Sequence, residues 1–358
     1  MTNIHGPSIY IPNDKNIFDA LQHKKVTHAT LLDFLRRRGI FVSSDIEKDE
    51  LVSIIASLTL DYHDYLWLCK QLENPNRKDK TTHSVMKGEV SNAQIMKACQ
   101  TVKANIDIDD SVKVVKKGDT TSLVVTYVDT DFTKTELRQR TVKKCVIELE
   151  KKGEEVTIKR PANKKAKEVL EKVKTILVAQ NPTKLEEAVI SLESFAEAKV
   201  RSEFFDFLIR NIKGYKFDNV TSVDVYHQVD ELDGEDDKQD SRLAGYINKA
   251  ALAGQGVLES QEFNQLHKRG FFICKIIWTV DSLIKGGDKA ELEAQFGTPK
   301  SCTDFKYTVR GIYNYNERTV MHNVSRRPTS PIENDELNSL LKDAAERAYD
   351  HIKNTYGV

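Results

Sequence analysis

Five charged residues in the middle of the chain have the types that a metal-dependent nuclease needs. They are Asp129, Asp131, Glu148, Glu150 and Lys151. Glu148 and Glu150 share one face of the strand-like segment VIELE, because alternate residues of a strand point the same way. Such carboxylates could hold a divalent cation that activates water. However, Glu150 and Lys151 are adjacent, without the intervening residue typical of such nucleases. Polarity of a strand surface explains the same residues, so a nuclease is an alternative hypothesis.

Other patterns of catalysis and cofactor binding are missing from the sequence. The chain has no GxxxxGK[ST] phosphate loop, and the GxG in GQGVLES follows a helical segment and lacks a third glycine. Its nine histidines form no HExxH or HxH pair, and it has no CxxC pair. We therefore predict no catalytic residue, no metal ligand and no cofactor, and we consider an enzyme the less favoured hypothesis.

Positive charge is concentrated between residues 134 and 174. This region has fourteen lysines and arginines against seven glutamates, a net charge of +7 in a chain whose 54 basic and 54 acidic residues balance. Alternation along TELRQRTVKKCVIELE would place Arg138 and Arg140 on one strand face. The segment IKRPANKKAKE adds cations where a strand enters a helix, a place that suits a phosphate. The candidate phosphate-binding residues here are Arg138, Arg140, Lys143, Lys144, Lys159, Arg160, Lys164 and Lys165. A solvated, lysine-rich surface is the alternative interpretation.

An acidic segment provides the opposite charge. Residues 224–240 have a net charge of −7, which is typical of a mobile loop. The loop at residues 230–240 could compete with nucleic acid for the basic residues or bind a basic protein partner.

The segment LLDFLRRRGIFVSSDIEKDELVSIIASL, residues 31–58, predicts two helices joined by an extended connector. Leu31, Leu32, Phe34 and Leu35 form an apolar side of the first helix, and Gly39 stands where a C-cap glycine belongs. Ser43, Ser44 or Asp45 would cap the second helix, whose buried face has Leu51, Ile54, Ile55 and Leu58. This pattern predicts a helical hairpin.

The hairpin resembles the SAP domain, a helix–extended loop–helix module usually associated with double-stranded DNA. LLDFLRRRGI is similar to the leucine-rich helix of that family, which ends in Arg-Gly-Leu, and EKDEL is similar to its Lys-x-x-Leu segment. The resemblance implies that phosphates would face Arg36, Arg37, Arg38, Lys48 and the backbone amides near Ser43 and Ser44. Residues 31–58 have a net charge of −1, so residues 134–174 are expected to provide the stronger basic surface.

The pattern of segments predicts an α+β protein with a helical N-terminal domain, an antiparallel-sheet middle domain and an α+β C-terminal domain. The predicted boundaries are 1–75 for the SAP-like headpiece, 76–88 for a linker, 89–180 for the basic domain and 181–358 for the last domain. Short β-branched runs between residues 111 and 161 suggest a meander. Residues 183–198 and 241–255 read as helices, and ENDELNSLLKDAAERAYDHIKNTY as a long amphipathic final helix.

Composition places the chain among soluble, cytoplasmic proteins. Its 358 residues are 39% hydrophobic, which is enough for cores without disulfides, and five widely spaced cysteines suit reduced, buried thiols. The longest apolar run, GFFICKIIWTV, is too short to span a membrane.

Three hypotheses follow. The preferred one is a non-enzymatic protein that binds duplex DNA, an accessory sensor in prokaryotic anti-phage defence or DNA processing. The alternatives are a nuclease with its site in the central strands and a scaffold that binds a protein partner through the C-terminal domain or the acidic loop.

Overall fold

The computed structural model describes residues 13–72, 79–105, 110–134, 136–181, 185–227 and 248–357. Most of the acidic segment, including the predicted loop at residues 230–240, lies outside these described residues. The fold is α+β, as predicted, and consists of two compact units. The first unit comprises Met1–Lys78, Lys103–Lys113 and Val124–Cys145. The second unit comprises Asp79–Val102, Val114–Leu123 and Val146–Val358.

Four helices form most of the first unit. They are α1 (Asp14–Gln22), α2 (His28–Arg37), α3 (Lys48–Ala56) and α4 (Tyr62–Leu72). The last three lie within the predicted N-terminal headpiece, and α2, the connector and α3 form the predicted hairpin. Helix α1 lies before the predicted hairpin, where no individual helix was predicted. A capping box between Asn13 and Asn16 stabilises its start, because each side chain bonds the other residue's backbone N–H.

The apolar sides of these helices share one core. Leu21 of α1, Leu31 and Leu35 of α2, and Leu51 of α3 are completely buried in it. Leu137, from a stretch of chain far from the four helices, belongs to the same core and is 5% exposed. The hairpin is therefore one part of a larger helical unit, which a distant segment completes.

The predicted meander is present, with one interruption. Its elements are β2 (Ser111–Lys117), β3 (Thr120–Thr130), the short helix α6 (Glu136–Gln139), β4 (Arg140–Lys152) and β5 (Glu155–Pro161). Helices α5 (Asn92–Ala104) and α7 (Lys164–Gln180) flank it, and α7 begins where a strand was predicted to enter a helix. Ser91 and Asn163 bond the first-turn amides of Gln94 and Ala166, which explains where α5 and α7 begin.

Part of the predicted linker is a strand. Residues Thr81–Lys87 of the segment 76–88 form β1, which pairs along its length with β5. Thr82, His83 and Ser84 are buried although they are polar. The polar composition that suggested a linker therefore belongs to a strand whose side chains pack inside the protein.

The remaining elements complete the second unit. They are β6 (Glu186–Ala188), α8 (Ala198–Arg210), β7 (Tyr215–Tyr226), β8 (Lys249–Ala253), a 3₁₀ helix (Val257–Glu259), α9 (Gln261–Lys268), β9 (Phe272–Ser282), β10 (Lys289–Thr298), β11 (Thr303–Tyr313), β12 (Tyr315–Asn316), β13 (Met321–His322) and α10 (Pro331–Tyr356). The predictions of helix at residues 183–198 and 241–255 are wrong where the structure describes them. Strand pairing overrides local helix propensity there, since Ala188 pairs with Val85 and Ala251 with Asp224.

Strands of the large sheet follow the order β2-β3-β4-β5-β1-β11-β10-β9-β7-β8, with β6 beside β1. Helices α8 and α10 contribute to the main core of the second unit. Phe204 of α8 packs against Phe296 of β10 and Phe305 of β11, with ring centroids 5.5 and 5.4 Å apart. Leu337, Leu341, Ala344, Ala348 and Ile352 form the buried face of α10, as its periodicity predicts.

Among the helices that the structure describes, none is both long enough and apolar enough to cross a membrane.

Candidate nucleic-acid interface

His23 is the C-cap of α1, and hydrogen-bond donors face both of its ring nitrogens. The Arg138 guanidinium lies 3.2 Å from Nε2, and the backbone N–H of Lys25 points to Nδ1 with an N···N distance of 3.3 Å. A guanidinium and an amide N–H can only donate. A proton on either ring nitrogen therefore faces another donor. The charged imidazolium has two such protons and the neutral imidazole has one, so this environment favours the neutral form.

Burial and nearby positive charge both lower the pKa of His23 from its usual value near 6.5. After burial, the charges that act on the ring are those of Arg138, Lys25, Lys24 and Lys48. Burial and the charges of Arg138 and Lys24 also lower the pKa of Lys25. Positive charges that lower the pKa values of His23 and Lys25 mark a place where an anion would be favourable. We call these residues, His23, Lys24, Lys25, Lys48 and Arg138, the His23 cluster.

Backbone carbonyl groups hold two members of the His23 cluster in place. The Lys25 ammonium donates to the carbonyl oxygen of Leu72, the last residue of α4, at 3.0 Å. Lys48 lies 3.4 Å from the carbonyl oxygens of Gln22 and His23, where α1 ends. The C-terminal ends of helices favour cations. These carbonyl oxygens help to fix the positions of both ammonium groups.

The three consecutive arginines of the hairpin have different roles. Arg38 pairs with Asp64, donates to the carbonyl oxygen of Thr59 at 2.8 Å and lies over the Phe34 ring. Arg37 pairs with Asp33 one turn earlier on α2, at 2.6 Å. Arg36 is exposed. Arg38 therefore links the end of α2 to the start of α4, and the three side chains do not form one phosphate-binding group.

The predicted cap of the second hairpin helix is wrong. Helix α3 begins at Lys48, and Glu47 is its N-cap without a side-chain hydrogen bond. Ser43 instead accepts from the backbone N–H of Asp45 at 3.2 Å, in the turn before the helix. The amides near Ser43 and Ser44 thus lie ahead of the helix N-terminus.

The prediction that Arg138 and Arg140 share one strand face is wrong. Arg138 lies on the short helix α6 and Arg140 is the first residue of β4, because the chain turns between β3 and β4 where alternation suggested a continuous strand. Along β4, Lys143 pairs with Asp129 at 2.6 Å, and Lys144 is exposed. The structure places Arg138 beside His23 instead.

The other predicted basic residues lie in the second unit. Lys159 is shared between Glu148 at 3.3 Å and Asp335 at 3.6 Å. Arg160 is partly buried, and burial lowers its pKa. Lys164 and Lys165 begin α7, whose first turn has no acidic residue, and the Lys164 side chain is 92% exposed. Of the twelve predicted residues, eight belong to the first unit and these four to the second.

The carboxylates of the nuclease hypothesis pair with lysines. Asp129 pairs with Lys143, Glu148 with Lys159 and Glu150 with Lys152 at 3.0 Å. Hydrogen bonds from Thr133 and an ion pair with Lys134 lower the pKa of Asp131 to about 2. In the described part of the chain, no three histidine, cysteine or carboxylate side chains come together as a possible metal site.

Reasoning from the sequence missed His23, Lys24 and Lys25. The run HKK at residues 23–25 could have indicated them, because it places three basic side chains at the end of a helix. It was missed because the polar helix α1 was not predicted. Asn13 at the head of α1 is a residue type that favours an N-cap, and it could have indicated the helix.

A family model described as "GAPS4b protein N-terminal domain" matches residues 15–78. The matched region is the small helical segment that contains most of α1 and all of α2, α3 and α4. No curated protein matches the chain.

Proposed function

We propose that this chain is a non-enzymatic, cytoplasmic component of prokaryotic anti-phage defence that associates with duplex DNA. The His23 cluster carries the proposal, because four cations act on one ring and, together with burial, lower its pKa. Clustered cations on one face are the electrostatic footprint of phosphate binding. The name of the GAPS4b family, whose N-terminal domain model matches residues 15–78, is compatible with a role in defence.

The SAP-like character of the hairpin is part of the proposal. Helices α2 and α3 with their extended connector have the expected architecture, and Lys48 opens the second helix. In the proposed interface, phosphates contact Lys24, Lys25, Lys48 and Arg138, while Arg37 and Arg38 retain their internal partners. Arg36 and Arg140 are exposed and could extend the contact.

The mechanism is dominated by the phosphate backbone. A duplex releases condensed counterions where lysine and arginine side chains replace them. The contribution of this release to the binding free energy does not depend on base sequence. A phosphate beside His23 would offset the cationic repulsion and offer the ring an acceptor. Lys164 and Lys165, at a helix start without acidic residues, are a second place for a backbone phosphate.

Fluorescence anisotropy with a labelled 30-base-pair duplex tests the proposal. Affinity should fall steeply between about 50 and 200 mM salt, with a log–log slope near −0.9 for each phosphate contacted. Lys24→Ala and Arg138→Ala should each weaken binding and make that slope shallower by about 1. Two duplexes of unrelated sequence should behave alike.

Lys213→Ala provides the matched control, since Lys213 is an exposed lysine in the second unit. It should bind as the parent does. The proposal is wrong if the parent does not bind duplex at low salt, or if the Lys24 and Arg138 variants behave like the Lys213 variant.

A further inference from the structure

Within the His23 cluster, the imidazole of His23 is the group whose charge changes near neutral pH. The ordinary pKa of histidine is about 6.5, whereas lysine and arginine ordinarily lose their protons only in base. The ring is partly buried where α1 ends, beside Arg138 of α6. Protonation of this one ring therefore changes the charge of the cluster by one between about pH 5 and pH 8.

Both ring nitrogens of His23 face donors in the free chain. Nε2 lies 3.2 Å from the Arg138 guanidinium, and Nδ1 lies 3.3 Å from the backbone nitrogen of Lys25. A neutral ring accepts a hydrogen bond from one of these donors, because one of its nitrogens carries no proton. An imidazolium would present an N–H to each donor, so protonation of the free ring loses a hydrogen bond and adds a like charge.

The charges that act on the ring are all positive, and they come from three places in the first unit. They are the charges of Arg138 on α6, Lys48 on α3, and Lys24 and Lys25 in the loop after α1. Lys48 is held close, 3.4 Å from the carbonyl oxygen of His23 itself. A proton on the ring is therefore disfavoured from every element that places a charge near it.

Acceptors around the end of α1 already have partners. The Asp49 carboxylate on α3 accepts from the side-chain amide of Gln22 at 3.1 Å. The carbonyl oxygen of Leu72 on α4 accepts from the Lys25 ammonium at 3.0 Å. Because these acceptors are engaged, a bound anion is the group that would best satisfy a second proton on His23.

A phosphate of the duplex would reverse the balance at the ring. Its oxygens accept hydrogen bonds, and its negative charge opposes that of the surrounding lysines and arginine, so it favours the charged imidazolium. Coupling between two bound species is reciprocal. If a phosphate makes the ring easier to protonate, the protonated ring must bind that phosphate more tightly by the same factor.

We propose that duplex binding at the His23 cluster is coupled to the uptake of a proton by His23, so that acid strengthens the complex. The inference rests on the proposed function, because it requires a phosphate beside the ring. It adds regulation to that function: a modest fall in pH raises the affinity of the site without any other change in the chain.

Isothermal titration calorimetry of the full-length chain with the 30-base-pair duplex tests this inference. At about pH 6.5, in buffers that differ in ionisation enthalpy, binding should take up a fraction of one proton. Fluorescence anisotropy at constant ionic strength should show an affinity about threefold higher or more at pH 6 than at pH 8. His23→Gln should bind like the parent at pH 8, where the ring is neutral, and should show neither effect.

His63→Gln is the matched control, since His63 is an exposed histidine of the first unit. It should take up the proton and respond to pH as the parent does. Circular dichroism should show that all three proteins stay folded from pH 8 to pH 6, and the calorimetric measurement on the parent needs no variant.

The possible outcomes separate this inference from the proposed function. Duplex binding without proton uptake, or with equal pH dependence in His23→Gln and the parent, would overturn the inference and leave the proposed function standing. Loss of proton uptake in His63→Gln would assign the proton to another residue and would also overturn it. Absence of duplex binding at every pH would refute both.

Discussion

Among single residues, His23 reports on the charge around it. Its ring lies between two hydrogen-bond donors, and nearby positive charges lower its pKa. Burial and four cations lower its pKa, so the folded chain holds fewer protons than the unfolded chain below the usual value of 6.5. Its contribution to the free energy of unfolding is complete above pH 6.5 and is lost as the pH falls through the lowered value.

We therefore expect acidification from pH 7.5 to 5.5 to destabilise the parent more than His23→Gln, as measured by urea unfolding at both pH values. A bound duplex should raise the pKa of His23, since phosphate charge opposes that of the lysines. Titration of the ring by NMR measures both effects. A His23 pKa at or above 6.5 in the free chain would contradict the assigned environment.

Arg38 and Arg36 differ in what they contact, and substitution separates their roles. Arg38→Ala removes the pair with Asp64 and the bond to Thr59, so it should lower the free energy of unfolding by about 1–2 kcal/mol. Arg36→Ala removes an exposed side chain and should change it by less than about 0.5 kcal/mol. Urea unfolding followed by helical circular dichroism provides the comparison, and equal effects would show that Arg38 is not a structural link.

At the scale of elements, α1 positions the His23 cluster because its last turn leads directly into His23. Asn13→Ala removes the side-chain bond to Asn16 N–H and should destabilise the first unit by about 1 kcal/mol. Asn13→Asp keeps a capping acceptor and should retain most of that stability. Thermal unfolding of both variants measures the difference, and the Ala variant should also bind duplex more weakly if α1 frays.

Helices α2, α3, α4, α7 and α10 could be predicted because each has an apolar side at helical spacing, and the meander could be predicted from short β-branched runs. Helix α1 and strand β1 were not predicted, because their segments are rich in polar residues. Residues 186–188 and 249–253 have helix-forming residues, but their partners on β1 and β7 are distant in sequence. Local propensity does not contain that information.

The same limit applies to the candidate site. Three adjacent arginines drew attention to the hairpin, but Asp64, which pairs with Arg38, is 26 residues away. The His23 cluster exists only after α1, α3 and α6 have packed together, since Arg138 comes 115 residues after His23. The SAP resemblance indicated Lys48 and the positive charge of residues 134–174 indicated Arg138, but only the fold placed them with Lys24 and Lys25.

At the scale of the whole molecule, the first unit is assembled from three separate stretches of chain. Residues 15–78, which match the family model, supply most of its helical residues, whereas Leu137 and Arg138 come from a later stretch that supplies part of the core and of the site. The matched region is thus shorter than the unit to which it belongs.

Leu137→Ala in the full-length chain tests whether that later stretch is required. Leu137 is 5% exposed within the core of the helices, so its truncation should destabilise the first unit by about 2–5 kcal/mol. Leu66→Ala is the matched control, since Leu66 is 45% exposed and should cost much less. Hydrogen exchange at the amides of α1 to α4 should accelerate in the first variant and stay near parental rates in the second. Unchanged exchange in Leu137→Ala would mean that the helices are stable without α6, and that the His23 cluster depends on α6 only for the charge of Arg138.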